Sequence, residues 1–132
     1  MSEASLLDRD REVRSAALTR AVLIVDDDEI IRRLLSERLA TRGFRPIAAG
    51  DGAEALRLLS EHRPALVVTD YHMPGMKGVE LVRRMLAFDP DLRIVVVSGY
   101  ASLPTVIEAM KAGAVDFLSK PLDLESLIRA LA

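Results

Sequence analysis

Five short apolar runs recur along the chain, each separated from the next by an amphipathic stretch of helical period. The runs are AVLIV (Ala21–Val25), PIAA (Pro46–Ala49), ALVVT (Ala65–Thr69), RIVVVS (Arg93–Ser98) and VDFL (Val115–Leu118). Several are rich in valine and isoleucine and almost unbroken by polar residues. Strands of this kind are covered on both faces, which points to a parallel sheet flanked by helices. Parallel neighbours need crossover connections, which are almost always right-handed, and the intervening stretches supply them.

Those stretches carry helix punctuation. Ile31, Leu34, Leu35 and Leu39, with Arg38, form a stripe that ends at Arg42-Gly43, where Gly43 suits the residue after a helix C-cap. Asp51 and Glu54 have capping-box spacing before Leu56 and Leu59. Val79, Val82, Met85 and Leu86 make a third stripe, stopped by Asp89-Pro90-Asp91. Pro104 suits the first turn of a fourth helix that reaches Lys111–Gly113, and Asp123 is placed to cap a fifth. The reading is one α/β domain over residues 21–132. The pattern of its last helix stops after about two turns, as if truncated from something longer. Residues 1–20 sit outside the pattern. Leu6, Leu7, Val13, Ala17 and Leu18 interleave there with charges, so an arm is expected, flexible or partly helical, with a dimer or partner contact as the sharper alternative.

Composition narrows the function. A chain of 132 residues suits one domain, and half of them are hydrophobic, enough for a core. With no cysteine there are no disulfides, thiolate metal sites or cysteine nucleophiles. A net charge of −2 argues against a general nucleic-acid surface. No apolar run approaches the roughly 20 residues a membrane span needs, and the N-terminus lacks a signal-peptide core. A soluble, cytoplasmic protein is expected.

The chemistry lies where the runs end. Asp26, Asp27 and Asp28 close the first run, and Asp70 follows the third in LVVTDYHMPG. Ligands of open parallel sheets bind outside the carboxyl ends of the strands. If the first and third strands are neighbours, these carboxylates converge, and converged carboxylates require protonation or a cation. Mg²⁺, a hard cation that takes one or two carboxylates plus water and phosphate, fits. Helix capping accounts for Asp28 and Glu29 but not for Asp70, which precedes MPG rather than a helix. Ser98 and Lys120 end two further runs, placing a hydroxyl and an ammonium on the same rim. Together these are the parts of phosphoryl transfer: a carboxylate nucleophile, a cation and donors for phosphoryl oxygens.

At these residues the chain resembles the receiver domain of two-component response regulators, through LIVDDD, VVTDYHMPGMKG, VVVSGYA and AGAVDFLSKP. The resemblance covers Ala21 to about Ala132. It implies a flavodoxin-like, doubly wound five-stranded sheet of order 2-1-3-4-5, the order for which a chemotaxis receiver is a standard example. It implies that Asp70 is the phospho-acceptor. By the same resemblance Asp27 would bind Mg²⁺ directly (Mn²⁺ as a substitute), Asp26 would act largely through metal-bound water, and the His72 backbone carbonyl would complete the site. Ser98 would be the switch hydroxyl, Lys120 would reach the phosphoryl group, Phe117 would be the switch aromatic, and the Lys120–Pro121 bond is expected to be cis. Serine for threonine at 98 and phenylalanine for tyrosine at 117 are common alternatives, and Phe117 can act only by packing. Tyr71 and His72, next to the acceptor, are candidates for tuning hydrolysis; His62 reads as surface.

The implied function is a signalling switch, not an enzyme beyond its own phosphorylation and dephosphorylation. A sensor histidine kinase or phosphotransfer protein phosphorylates Asp70, and the surface of the fourth helix, fifth strand and fifth helix responds. The consequence is partner binding or a phosphorylation-dependent homodimer. Any DNA-binding or ATPase output would come from residues beyond Ala132. Two rivals stand beside this reading. A haloacid-dehalogenase-type phosphatase would use Asp26 as nucleophile and Asp28 as general acid, but leaves Asp70 without a role. A flavodoxin-type cofactor module would need small and hydroxyl residues where this chain has four acids.

Overall fold

The computed structural model describes residues 21–132, so the arm expected over residues 1–20 lies outside the described residues. Strands β1 (Ala21–Val25), β2 (Arg45–Ala49), β3 (Leu66–Asp70), β4 (Arg93–Ser98) and β5 (Asp116–Ser119) alternate with helices. These are α1 (Glu29–Thr41), α2 (Gly52–His62), α3 (Gly78–Phe88), α4 (Leu103–Ala112) and α5 (Leu124–Leu131). Every strand pair is parallel, in the order β2-β1-β3-β4-β5. This is the flavodoxin-like order expected from the sequence. The chain leaves β1 toward β2, then returns to lay β3 on the other side of β1. That reversal opens a crevice between the carboxyl ends of β1 and β3.

Strand alternation builds two cores. Leu23, Val25, Val67, Ile94 and Val96 face α2, α3 and α4, where Leu59, Leu81, Val82, Met85 and Ala109 are buried. Val22, Ile24, Leu66, Val68, Val95 and Val97 face α1 and α5, meeting Leu39, Leu127 and Leu131. Because β1, β3 and β4 are sandwiched, both alternating sets must be apolar, which is why those runs read as unbroken. The edge strands β2 and β5 are only partly covered. Pro46, which lacks an N–H for a ladder, is accommodated because β2 is an edge strand.

Three strand boundaries shift by one residue from the sequence reading: β2 starts at Arg45, β3 runs Leu66–Asp70 and β5 runs Asp116–Ser119. Pairing rather than hydrophobicity ends these strands. Asp70 still pairs with Val97 and so belongs to the strand it was expected to follow. The caps are mostly as read. Gly43 adopts φ 90° after α1. The Asp51 carboxylate accepts the Glu54 N–H at 2.8 Å. Asp123 stands at the N-cap of α5, but its carboxylate accepts the Ser126 hydroxyl at 2.8 Å. The start of α4 holds a box the sequence reading missed, in which Ser102 and Thr105 cap one another on either side of Pro104. No helix among the described residues is long and apolar enough to cross a membrane.

Gly78, the first residue of α3, lies against the segment after β3. A Cβ at this position would stand 2.5 Å from the Tyr71 carbonyl oxygen and 2.9 Å from its ring. Backbone atoms cannot step aside as a flexible side chain can, so the close approach of α3 to the Asp70 segment requires glycine. Gly78→Ala is expected to destabilise the domain by about 1–3 kcal/mol, the usual cost of overpacking. Urea denaturation of the two proteins measures it.

Candidate functional site

The register of the sheet assembles the site. Val25 pairs with Thr69, so Asp26 and Asp70, one residue further along adjacent strands, stand side by side. Asp70 pairs with Val97, which puts Ser98 at the next strand end, and Ser98 pairs with Ser119, just before Lys120. The Lys120 N–H continues the ladder by donating to the Ser98 carbonyl at 2.8 Å. Asp26, Asp70 and Ser98 are almost fully buried, at 3%, 8% and 0% exposure.

Lys120 holds the two buried carboxylates together. Its Nζ donates to Asp26 Oδ2 at 3.1 Å and to Asp70 Oδ2 at 3.2 Å. Burial by itself pushes the Lys120 ammonium down, but the hydrogen bond to Asp26 and the charges of Asp70 and Asp26 outweigh it. The result lies above the ordinary lysine value, so the side chain is a cation at neutral pH. Burial raises Asp26 above the ordinary carboxylate value, against the opposing pull of the Asp28 N–H and of Lys120. The Asp28 N–H reaches Asp26 Oδ1 at 2.9 Å.

Asp27 is exposed and completes an acidic trio. One carboxylate oxygen from each of Asp26, Asp27 and Asp70 lies within 4.8 Å of the other two. Three carboxylates against one ammonium leave uncompensated negative charge, and an all-oxygen donor set of that kind fits a hard divalent cation. Asp28 is separate from the trio. Its carboxylate accepts the N–H groups of Ile30 and Ile31 at 2.9 and 3.3 Å, capping α1.

The residues after Asp70 are tied down on several sides. The His72 N–H donates to Asp70 Oδ1 at 3.2 Å, and the Tyr71 N–H donates to the Val97 carbonyl at 2.9 Å. The Tyr71 hydroxyl donates to Glu108 Oε1 on α4 at 2.6 Å; burial first, and then this bond, pushes the phenol up to about 12. The Tyr71 ring lies 5.0 Å from that of His72 and 6.2 Å from that of Phe117. Phe117 is half-buried against the core beneath α2, α3 and α4. Ser98 Oγ accepts the Tyr100 N–H at 3.0 Å. The Lys120–Pro121 peptide is cis. His62 is exposed at the end of α2. The sequence reading missed two contacts: the Tyr71–Glu108 bond and an Arg32 guanidinium bonded to the Asp26 carbonyl. Neither leaves a periodic or motif signal, because each joins segments that only the fold brings together.

The model of the response regulator receiver domain matches residues 22–132. The chain belongs to the response regulator receiver family. Over 110 residues this receiver is 36% identical to the C4-dicarboxylate transport transcriptional regulatory protein DctD of Rhizobium meliloti, covering 83% of the receiver and 24% of that relative. It is 34% identical over 110 residues to sporulation initiation phosphotransferase F of Bacillus subtilis, covering 83% of this chain and 89% of that one. Among solved structures it superposes with TM-score 0.81 and 34% identity on a Burkholderia pseudomallei response regulator, covering 85% of this chain and 66% of that chain. That protein was crystallised with a phosphorylated aspartic acid, a calcium ion and citrate. The receiver spans about a quarter of the length of relatives such as DctD. It is a phospho-accepting signalling switch of a two-component system. The phosphatase reading finds no support, and Asp28, its general acid, is engaged in capping.

The bridge by Lys120 gives opposite expectations for two neutralising substitutions in metal-free protein. Lys120→Met leaves two buried carboxylates facing one another and is expected to lower the melting temperature. Asp26→Asn removes a buried charge while Lys120 keeps Asp70, and is expected to raise it by roughly 2–6 °C, the shift that about 1 kcal/mol produces in a domain of this size. Thermal melts in EDTA read both.

Proposed function

We propose that Asp70 is the residue phosphorylated, by a sensor histidine kinase or phosphotransfer protein, in a cytoplasmic Mg²⁺-dependent reaction. The observation that carries this is the Asp70 carboxylate itself. It stands at a strand end, 3.2 Å from the Lys120 ammonium and within 4.8 Å of Asp26 and Asp27. Asp26, Asp27, Asp70 and the His72 carbonyl are the ligands we assign to Mg²⁺, for which Mn²⁺ can substitute. The cation, when bound, neutralises charge on the phosphoryl oxygens. An Asp70 oxygen attacks phosphorus, forming the acyl phosphate O–P bond as the P–N bond of a phosphohistidine, or the P–O bond of acetyl phosphate, breaks. Lys120 then pairs with a phosphoryl oxygen instead of the bare Asp70 carboxylate, while burial keeps bulk water from the new bond.

The acyl phosphate adds roughly −1.5 to −2 charge and three acceptor oxygens. Ser98, at the end of the neighbouring strand β4, turns its hydroxyl toward one of them. Its Oγ now holds the Tyr100 N–H, so that turn loosens the segment leading into α4. Phe117 moves into the vacated space. The face that responds is already apolar: Leu103, Ile107 and Met110 lie at helical spacing on α4, with Tyr100 before them, and Tyr100 and Leu103 are 77% and 73% exposed. We assign this face to a phosphorylation-dependent contact with a second copy of the chain. The NtrC4 receiver, 33% identical with TM-score 0.80, was solved as a beryllofluoride-activated dimer. Any DNA-binding or ATPase output is assigned to residues outside this domain; DctD, a transcriptional regulatory protein, matches this receiver over only 24% of its length.

The kinase approaches from the other side of Lys120. A groove of about 560 Å³ runs there between α1 and the residues after β5, lined by Ile31, Leu34, Leu35, Pro121 and Leu122. Asp70→Asn is expected to abolish hydroxylamine-labile phosphate after incubation with acetyl phosphate and Mg²⁺; wild-type labelling in that variant sinks the assignment. Leu34→Arg is expected to cut transfer from a phosphorylated histidine kinase by at least tenfold while leaving labelling by acetyl phosphate intact. Phosphotransfer time courses with the two donors make the comparison.

A further inference from the structure

The acidic turn after β1 must hold like charges close together. Three bonds do so. The Asp26 N–H donates to the Ala49 carbonyl at 3.1 Å, the Asp28 N–H closes on Asp26 Oδ1 at 2.9 Å, and Arg32 Nη1 donates to the Asp26 carbonyl oxygen at 2.7 Å. The third comes from outside the turn. Arg32 lies on α1, and its side chain reaches back to the peptide that joins Asp26 to Asp27. Fixing that peptide fixes the directions in which both carboxylates leave the backbone.

The rest of the fold makes room for this reach. Gly50, between β2 and α2, packs against the guanidinium, and a Cβ there would stand 3.2 Å from Arg32 Nη1 and 3.5 Å from Cζ. Arg33, Arg42, Arg57 and Arg84 form ion pairs with surface glutamates. Arg32 makes none among the described residues and directs its Nη1 to a neutral carbonyl in a partly buried slot. A cation beside an acidic trio is an odd choice if only charge matters, since it repels the divalent ion the trio would bind. It makes sense as a brace.

We infer that Arg32 is a positioning residue for the cation site: through the Asp26 carbonyl it pre-orients Asp26 and Asp27, and it raises divalent-ion affinity despite its own positive charge. The inference rests on the assignment of Asp26, Asp27 and Asp70 to a divalent cation. Groups that orient metal ligands without touching the metal typically change affinity about 10–100-fold when removed. Charge and position act in opposite directions here, so they can be separated.

The test is a calorimetric titration of Mg²⁺ into the full chain, wild type against Arg32→Met and Arg32→Lys. Melting curves and amide NMR spectra establish that each variant is folded. Bracing requires that Arg32→Met bind Mg²⁺ about tenfold more weakly and that Arg32→Lys also weaken, because an ammonium on a different reach does not reproduce the bond over Gly50. A purely electrostatic role gives the reverse, with Arg32→Met as tight as wild type or tighter and Arg32→Lys unchanged, and that result overturns the inference. Gly50→Val keeps the Arg32 charge but fills its slot. It is expected to weaken binding as well, and unaltered affinity in that folded variant also overturns the bracing role. No Mg²⁺ uptake by wild type overturns the cation site and the inference together. Normal uptake by wild type with no loss in the variants removes Arg32 alone.

Discussion

One ammonium between two buried carboxylates holds the functional end of this domain together. Asp26 and Asp70 come from adjacent strands and would repel each other in a partly dry crevice. Lys120, from the far edge of the sheet, bonds to both. Such an arrangement is tolerated rather than optimal. The Asp26 carboxylate stays raised by burial even with the ammonium beside it, and the exposed Asp27 adds a third negative charge within reach. A site so loaded with negative charge favours cations and electrophiles bearing them, which is the business of a phospho-accepting receiver.

The same rim connects chemistry to surface. Each strand end that contributes to the site continues directly into a segment that leads elsewhere. After Asp70 comes Tyr71, bonded to Glu108 on α4. After Ser98 comes the turn held by its own hydroxyl, which enters α4. Phe117 lies one strand away, its ring near that of Tyr71. Asp70 is therefore linked to α4 by short covalent and hydrogen-bonded routes. The apolar stripe of α4 is exposed, whereas the apolar groove by Lys120 is lined by α1 and the residues after β5.

Much of this was legible in the residues. The sandwiched strands β1, β3 and β4 announced themselves because both of their faces are apolar, although the ends of β3, like those of the edge strands β2 and β5, were off by one residue. Asp28 was already separable from Asp26 and Asp27, because a carboxylate next to a helix start reads as a cap, and its bonds to the Ile30 and Ile31 N–H groups bear that out. Arg32 and Glu108 were illegible. One is among many arginines on an amphipathic helix and the other is an ordinary surface acid, and their partners lie on different elements.

The sequence by itself determined the alternating parallel architecture and the residue types at each strand end, because both follow from local periodicity and from where apolar runs stop. Local periodicity left open which of those ends meet; the strand order was an expectation carried by the family resemblance, and the tertiary structure decided it. Placing β3 rather than β2 on the functional side of β1, with Thr69 in register with Val25, is a long-range pairing choice. From that choice follow the shared ammonium, the acidic trio and the slot beside Gly50. Contacts of that kind depend on distances between segments, and distance through space is not encoded in the spacing of residues along a chain.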